Sequence, residues 1–217
     1  MRETVIAGIE REKVIAIVRG AGAEACRKVA DALYQGGIRL MEVTFDQKDP
    51  DSFPATAGAI AEIAKAYEGR MLVGAGTVTT PELVDLTAKA GGRYIISPDV
   101  NEAVIRRTRE LGLVSLPGAM TPTEILTAHR AGADFVKVFP AGELGTGYLK
   151  AVRAPISHVK LLAVGGINER NAAGFLKAGA VGLGVGGNLA NKEWIAAGDF
   201  DKITAAARML LEAVQTA

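Results

Sequence analysis

Eight short apolar runs alternate with longer segments along the chain. Each run has the length of a strand, is rich in Val, Ile or Leu, and is bounded by Gly, Pro or Thr. The runs are Val14–Val18, Leu40–Thr44, Met71–Ala75, Tyr94–Ser97, Leu113–Leu116, Phe135–Val138, Val159–Val164 and Val181–Val185. The segments between them, such as Glu24–Gln35 and Asp51–Tyr67, have apolar positions at helical spacing. The pattern predicts eight strands with eight intervening helices.

Two α/β architectures fit this alternation, a closed parallel barrel and an open doubly wound sheet. The runs are continuously apolar, which is typical of parallel strands buried on both faces. The count of eight favours the barrel. The segment after the first strand, Arg19-Gly20-Ala21-Gly22, also lacks the third glycine of a dinucleotide-binding turn. We therefore predict a single (β/α)8 TIM barrel that spans residues 1–217.

Composition narrows the class of protein further. The 217 residues carry 25 basic and 24 acidic side chains, and the net charge of +1 argues against nucleic-acid or membrane-surface partners. The one cysteine, Cys26, excludes an intrachain disulfide and a Cys-based zinc site. The uncharged stretch 178–191 is too short to span a bilayer, and residues 1–13 have no apolar core of a signal peptide. We expect a soluble, cytoplasmic protein.

Two charged residues interrupt the apolar runs. Glu42 lies in the second run and Lys137 in the sixth. Because side chains alternate along a strand, Glu42 shares a face with Leu40, and Lys137 shares one with Phe135. The opposite faces suit packing against outer helices, so both charges are expected to point inward. The second and sixth strands lie opposite each other in an eight-stranded barrel, which would place these side chains across its mouth.

A buried lysine opposite a carboxylate is suited to imine chemistry. A low dielectric lowers the pKa of a lysine, and a value of roughly 7–8 leaves much of the amine nucleophilic at neutral pH. The carboxylate could then move protons. The alternative is a structural salt bridge between Glu42 and Lys137, because an unpaired buried charge costs several kcal/mol.

Paired glycines follow the last two predicted strands. Gly165-Gly166 follows the seventh strand, and Gly186-Gly187-Asn188 follows the eighth. Barrels build phosphate sites at these loops from backbone N–H groups and a helix N-terminus. The glycines therefore predict an anion site, with tight turns as the alternative.

Weaker candidates are single polar residues. Arg19 at the end of the first strand could reach an anion, and Thr77 could offer a hydroxyl to a carboxylate. A solvated arginine and a plain turn fit these positions equally well. His129 and His158 are expected to be structural because no Cys/His cluster accompanies them, so we expect no metal.

Taken together, these motifs resemble the class I 2-keto-3-deoxy-6-phosphogluconate (KDPG) and 4-hydroxy-2-oxoglutarate (KHG) aldolases. The resemblance covers nearly the whole chain. Its most specific motifs are Glu42-Val43-Thr44 and Lys137-Val138-Phe139-Pro140-Ala141. The remaining motifs lie at 14–19, 74–78, 96–98, 117–118 and 165–167.

The resemblance implies a homotrimeric barrel that needs no cofactor. Such an enzyme cleaves KDPG to pyruvate and glyceraldehyde 3-phosphate, or KHG to pyruvate and glyoxylate. The lysine matching Lys137 forms a Schiff base with the pyruvyl carbonyl, and the glutamate matching Glu42 shuttles protons through water. Thr77 matches a threonine near the pyruvyl carboxylate, and Pro98 and Phe139 match residues that pack around the ketoacid.

Three positions depart from the family pattern. Asp46 stands where an arginine usually helps to bind substrate, Val164 where threonine is common, and Asn188 where a serine contacts phosphate. A charge-assisted hydrogen bond is worth about 1.5–3 kcal/mol, so Asp46 affects substrate binding most, unless Arg19 or Lys48 supplies the charge.

Two other functions remain compatible with the residues alone. One is a phosphate-binding barrel isomerase or synthase in which Lys137 is an electrostatic group. The other is a non-catalytic barrel that binds a sugar phosphate. For the aldolase we expect a small-molecule 2-keto acid substrate and neither a nucleic-acid nor a membrane partner.

Overall fold

The computed structural model describes residues 2–216, and its centre is a sheet of parallel strands. The strands pair in the order β5-β4-β3-β2-β1-β9-β8-β7-β6. They are β1 (Val14–Arg19), β2 (Leu40–Thr44), β3 (Leu72–Gly76), β4 (Tyr94–Ile96), β5 (Val114–Leu116), β6 (Gly118–Ala119), β7 (Val136–Val138), β8 (Leu161–Val164) and β9 (Gly182–Val185). The predicted barrel is confirmed, although the strand ends differ from the predicted ones by one or two residues at several places.

The count of nine instead of eight strands arises at Pro117, which separates β5 from β6. Proline has no N–H to donate to a sheet ladder, so the ladder breaks there, and Gly118–Ala119, which lie beyond the predicted fifth strand, form a separate short strand. The carbonyl of Pro117 still accepts from Lys137 N at 2.8 Å, and the carbonyl of Ser115 accepts from Phe135 N at 3.2 Å. These two hydrogen bonds join the fifth strand to the strand that carries Lys137 and close the barrel.

Helices surround the barrel and connect successive strands. They are α1 (Arg2–Glu12), α2 (Ala23–Gln35), α3 (Phe53–Ala66, after a 3₁₀ turn at Pro50–Ser52), α4 (Pro81–Lys89), α5 (Glu102–Glu110), α6 (Pro122–Arg130), α7 (Ala141–Arg153), α8 (Ala172–Lys177), α9 (Lys192–Ala197) and α10 (Phe200–Gln215). The α6 start has a reciprocal capping box, in which Glu124 N donates to Thr121 Oγ1 and Thr121 N donates to Glu124 Oε2. No helix within residues 2–216 is both long and apolar enough to cross a membrane.

The barrel interior is filled by apolar side chains from the strands and from α1. Val5, Ile6 and Ile9 of α1 belong to the same buried cluster as interior residues such as Leu40 and Leu162. Helix α1 therefore seals the amino-terminal end of the barrel, a role that the sequence analysis did not predict. The carboxyl ends of the strands remain open, and the predicted site lies there.

A latch holds α1 against the barrel. Arg2 forms an ion pair with the buried carboxylate of Asp134, which also pairs with Arg109 at 3.0 Å and accepts from Ser115 N at 2.9 Å. Ion pairs at a partly buried site are screened less than exposed ones. The latch ties the first turn of the chain to the loop before β7.

Candidate active site

Lys137 and Glu42 both point into the barrel, as strand alternation predicts. Their neighbours on the opposite faces, such as Met41 and Val136, pack in the core between the sheet and the helices. Glu42 is 3% exposed and Lys137 is 9% exposed. Both line one interior cavity of about 10 Å³, which has room for a single water at most.

The two charges share this cavity without forming an ion pair. No nitrogen of Lys137 lies within 4.0 Å of a carboxylate oxygen in residues 2–216, and Glu42 Oε2 has no hydrogen-bond partner there. A structural salt bridge is therefore not the arrangement observed. An unsatisfied buried carboxylate oxygen is costly and points to a group that acts on something outside the protein.

Burial sets the protonation of both groups. Removal from water raises the pKa of Glu42 to about 7, although the positive charges of Lys137 and Arg19 oppose the rise. Desolvation lowers the pKa of Lys137, while the carboxylate of Glu42 favours its protonated form. Arg19 lowers that pKa further, and Asp99 raises it slightly. A carboxyl group whose pKa is about 7 and an amine whose pKa is lowered thus face one cavity.

Gly76 makes the space for the carboxylate. A Cβ at this position would collide with Glu42 Oε1 and would lie 2.8 Å from the side chain of Thr44. Glycine at the end of β3 therefore leaves the space that the carboxylate of Glu42, on the neighbouring strand, occupies. The sequence showed the motif, and the structure gives this physical reason for one of its glycines.

The mouth above the pair is formed by strand ends. The Phe139 ring, 41% exposed, has its centroid 5.1 Å from Lys137 Nζ. Arg19 is exposed at the end of β1, where it pairs in register with Thr44, and Pro98 follows β4. A groove of about 610 Å³ opens beside the mouth, and its lining includes Arg19, Thr44 and Thr77. The structure thus brings together the candidates from β1, β2, β3, β4 and β7.

Thr77 follows β3 in an unusual backbone conformation. Its φ of +57° lies in the left-handed region, which residues other than glycine seldom adopt. Its carbonyl accepts a hydrogen bond from Gln47 Nε2 at 2.9 Å, and Thr79 Oγ1 donates to Gln47 Oε1 at 2.9 Å. The sequence analysis missed Gln47, because an exposed polar residue in a loop leaves no periodic signal.

The two glycine loops meet beside the mouth. Gly165 and Gly166 have φ of +89° and +72°, and the carbonyl of Gly165 accepts from Gly142 N at 2.7 Å. Within residues 2–216, the N–H groups of Gly166 and Gly187 donate to no partner. Asn188 joins the loops, since its Nδ2 donates to the carbonyl of Ile167 at 2.9 Å.

Asn171 supports the first of these loops from below. Its Nδ2 donates to the carbonyl of Gly166 at 2.8 Å, while its Oδ1 accepts from Asn168 N at 2.9 Å. The sequence analysis did not select this residue. Asparagine in a loop often binds backbone groups in this way, and only tertiary contacts identify which ones.

The three departures from the family pattern lie at the site. The carboxylate of Asp46 lines the groove and accepts from Lys48 N at 3.0 Å. Val164 lines the small interior cavity, where it presents an apolar surface close to Lys137. Asn188 uses its amide to join two loops. Lys48 and Lys192 line the groove with Arg19, so cations other than the missing arginine are present.

The part of the chain that the structure describes contains no group of three or more His, Cys, Asp or Glu side chains placed to hold a metal ion. His129 and His158 pack against each other with ring centroids 5.1 Å apart, and both are exposed. Cys26 is buried in α2, where its Sγ lies 3.2 Å from the carbonyl oxygen of Ala21.

Comparison with known proteins gives three results. A model of the KDPG and KHG aldolase family matches residues 5–206. A probable 2-dehydro-3-deoxy-6-phosphogalactonate aldolase of Rhizobium meliloti is 38% identical over 187 residues, covering 86% of this chain and 85% of that protein. A 2-dehydro-3-deoxy-phosphogluconate aldolase of Treponema pallidum is 36% identical over 213 residues, covering 97% and 98%.

A solved structure matches as well. The KDPG aldolase of Legionella pneumophila, with pyruvate captured at low pH as a covalent carbinolamine intermediate, superposes with a TM-score of 0.84. It is 26% identical in sequence, and the match covers 94% of this chain and 97% of that one.

Proposed function

Since the chain belongs to the KDPG and KHG aldolase family, whose members are class I carbon–carbon lyases, we propose that it cleaves a 2-keto-3-deoxy-6-phospho sugar acid through a Schiff base on Lys137. The observation that carries this proposal is the desolvated amine of Lys137 beside the unpaired carboxylate of Glu42. KHG, which would give pyruvate and glyoxylate, is the unphosphorylated candidate.

The Schiff base supplies the electron sink for cleavage. The neutral amine of Lys137 attacks the C2 carbonyl to form a carbinolamine, which loses water to give a protonated imine. The C4 hydroxyl then loses its proton, and the C3–C4 electron pair moves toward the imine nitrogen. Glyceraldehyde 3-phosphate leaves as the aldehyde, and an enamine remains on the lysine. Protonation of the enamine at C3 and hydrolysis release pyruvate and regenerate the amine.

Glu42 moves the protons of this sequence. A carboxyl group whose pKa is about 7 is present in both protonation states at neutral pH, so it can accept a proton in one step and return it in another. Burial leaves its Oε2 free for this task. The cavity that it shares with Lys137 has space for the single water that such a shuttle needs.

The remaining site residues bind the two ends of the substrate. Arg19 and Thr77 hold the C1 carboxylate, and Phe139 and Pro98 pack on the carbon chain. The free N–H groups of Gly166 and Gly187 receive the phosphate, with Gly165, Gly186 and Asn188 shaping the loops. The assignments of Thr77, Pro98 and Phe139 follow the family pattern, and those of Arg19 and the glycine loops follow from their positions at the strand ends.

The galacto-configured epimer is a second candidate substrate. The Rhizobium meliloti relative is named for that epimer, and it shares 38% of its residues with this chain. The two sugar acids differ only in the configuration at C4. This carbon becomes the aldehyde carbon of the departing product. The apolar Val164 beside the cavity offers no hydrogen bond to a hydroxyl, unlike the threonine of the family pattern. Values of kcat/KM for both epimers and for KHG identify the substrate.

Borohydride trapping tests the proposed function. Incubation with pyruvate and borohydride should add one pyruvyl unit to the peptide that contains Lys137, because borohydride reduces an imine to a stable amine. The Lys137→Arg variant should take up no label, and the exposed control Lys150→Arg should be labelled like the wild type. Absence of label, or label on Lys150 or Lys160, contradicts the proposal and favours the non-catalytic or isomerase alternatives.

We also propose that the protein is a homotrimer, as the family resemblance implies. Met120 is 48% exposed next to Phe139, whose N–H donates to the carbonyl of Ala119 at 3.1 Å. This pair and the half-buried Tyr148, whose hydroxyl donates to the Met120 carbonyl, form an apolar rim on one side of the mouth. Burial of such a rim against a second copy favours assembly.

Light scattering tests the oligomeric state. The wild type should have the mass of a trimer, and Met120→Lys should shift the mass toward that of the monomer. A monomeric wild type contradicts this proposal.

A single cytoplasmic domain agrees with the proposed activity. One barrel accounts for residues 14–185, and the family match extends from residue 5 to 206. A phosphorylated sugar acid is confined to the compartment in which it is made, because burying its charges in a bilayer is very costly. One cooperative unfolding transition and recovery in the cytosolic fraction are the expected results.

A further inference from the structure

We propose that Gln47 is a positioning residue that sets the turn at Thr77 for the pyruvyl carboxylate. The inference rests on the proposed function, because it concerns how the C1 end of the substrate is held. Gln47 lies in the loop after β2, next to the family's missing arginine at position 46, and its side chain is exposed.

The side chain of Gln47 bridges two loops of the mouth. Its Nε2 donates to the carbonyl of Thr77, and its Oε1 accepts from the hydroxyl of Thr79, both at 2.9 Å. A carbonyl oxygen only accepts hydrogen bonds, so the nitrogen of the amide has to face Thr77. This fixes the orientation of the amide and leaves Oε1 for Thr79. Both ends of the amide are thus committed to the loop after β3.

The turn that Gln47 holds is in a sparsely populated conformation. Thr77 has a φ of +57°, and a residue with a β-branched side chain keeps this conformation only when its surroundings impose it. The peptide before Thr77 is anchored to the sheet, since Gly76 O accepts from Phe45 N at 3.0 Å. The peptide after Thr77 is anchored at its N–H, since Val78 N donates to Ile96 O at 3.2 Å. The carbonyl of Thr77 itself is held by Gln47.

This arrangement matters for binding because the hydroxyl of Thr77 is free. It makes no hydrogen bond within the described residues, and Thr77 lines the groove together with Arg19. Without Gln47, the peptide that follows Thr77 would keep only its anchor at Val78 N. The strained turn could then relax, and the Thr77 hydroxyl would no longer be held in one position at the groove. Family members place an arginine at position 46; in this chain the same loop contributes indirectly, through the amide of Gln47.

The role predicts an effect on substrate binding separate from an effect on the chemical step. Gln47 does not line the interior cavity that holds Lys137 and Glu42, so the imine chemistry should keep its rate once substrate is bound. Gln47→Ala removes both bridging hydrogen bonds and should raise the KM for the keto acid by about tenfold, with kcat changed by less than about threefold.

Gln47→Glu and Thr79→Val refine the test. The glutamate keeps the acceptor for Thr79 but places a second oxygen against the Thr77 carbonyl, so its KM should rise at least as far as that of the alanine variant. Thr79→Val removes one hydrogen bond of the bridge and should give a smaller rise. Gln35→Ala, at an exposed glutamine at the end of α2, is the matched control and should have wild-type kinetics.

The same proteins are titrated with pyruvate in the borohydride assay. Half-saturation of labelling should shift upward in the two Gln47 variants, while the label at saturation stays complete. An unchanged KM and half-saturation in Gln47→Ala overturn the positioning role, as does an equal fall in kcat for every Gln47 variant with an unchanged KM. Failure of the proposed function looks different, since the wild type itself would then not be labelled.

Discussion

At the scale of single residues, the proposed site centres on two ionisable groups whose pKa values burial shifts toward their uncharged forms. Glu42 loses water contact and keeps one oxygen without a partner, and Lys137 loses most of its hydration on the opposite side of the cavity. Each charge would be far more stable in water. The barrel thus keeps both groups in a state suited to the proposed reaction, which uses the proton of the Glu42 carboxyl and the lone pair of the Lys137 amine.

The pH dependence of cleavage follows from Glu42. The carboxylate has to be ionised to accept the proton of the C4 hydroxyl, and the pKa of about 7 belongs to the free enzyme, so kcat/KM should fall as the pH drops through about 7. Glu42→Gln should lower kcat by about 10²- to 10⁴-fold and remove this limb of the profile. Steady-state kinetics between pH 5 and 9 measure both effects, with the exposed Glu68→Gln as control. A near-wild-type rate contradicts the role.

Stability should change with pH in the direction given by the same shift. The folded protein keeps the proton of Glu42 between about pH 4.3 and 7, whereas the unfolded chain releases it. The free energy of unfolding therefore decreases as pH rises through this range. Glutamine does not titrate, so Glu42→Gln does not lose stability in this way. The melting temperature of the variant minus that of the wild type should therefore increase from pH 5 to pH 8. Lys137 acts in the opposite sense, because its pKa is lowered and the unfolded chain therefore holds the proton to higher pH than the folded protein does. This contribution is present in the wild type and in Glu42→Gln alike, so it largely cancels from the comparison.

Residues of this kind differ in how far the sequence reveals them. Lys137 and Glu42 were predictable because a charge inside an apolar strand is conspicuous, and alternation decides which face it occupies. Gln47 and Asn171 were not, because they act through hydrogen bonds between loops that no periodicity describes. The same holds for Asp99, an exposed residue whose charge influences Lys137 from the loop after β4.

At the scale of elements, buried parallel strands can be predicted from the sequence, whereas a break within a strand cannot. The strand positions could be predicted from runs of Val, Ile and Leu. Such runs occur because each strand is buried on both faces, against the barrel interior and against the outer helices. The interruption at Pro117 depends on which backbone N–H the ladder needs at that point, and this is known only once the neighbouring strands are placed. Helix α1 was missed because its apolar residues, Val5, Ile6 and Ile9, lie among charged ones and form a short stripe.

The loops after β8 and β9 carry a prediction about the phosphate. Their free N–H groups should make the phosphorylated ketodeoxy acid the better substrate, by about 10- to 100-fold in kcat/KM over its unphosphorylated analogue. Gly187→Ala should reduce this preference, since a Cβ there meets no protein atom within 4 Å and would lie next to the N–H group proposed to receive the phosphate. Gly58→Ala in α3 meets nothing either and serves as control.

Two results would contradict the anion site. Equal kcat/KM values for the two acids would mean that the glycines serve only as turns. A Gly187→Ala variant that loses activity equally with both acids would show a general disturbance of the mouth in place of a lost phosphate contact. If the two acids give equal kcat/KM values, KHG or an unphosphorylated sugar acid is the substrate.

At the scale of the whole molecule, the barrel separates the tasks of its two ends. The helices cover the outer face of the sheet, α1 seals the amino end, and the strand ends are left to carry the site. A reaction at that end needs an electron sink, which the protonated imine provides without a divalent ion.

Activity should therefore survive removal of metal ions. Dialysis against EDTA is expected to leave kcat and KM unchanged, because none of the proposed steps uses a metal. Formation of pyruvate is best followed directly by NMR, so that no coupling enzyme meets the chelator. Loss of activity that zinc or magnesium restores would place the protein outside the class I mechanism.

The seal at the amino end has a consequence for the order in which the chain can fold. Helix α1 precedes every strand of the barrel in the chain, yet it belongs to the same buried cluster as Phe135 and Leu162, and its latch joins residues 132 positions apart in the sequence. Contacts of such wide separation form late, because the entropy of closing the intervening loop has to be overcome first. The apolar stripe of α1 therefore stays without its partners in the barrel until the strands through β8 have been synthesised.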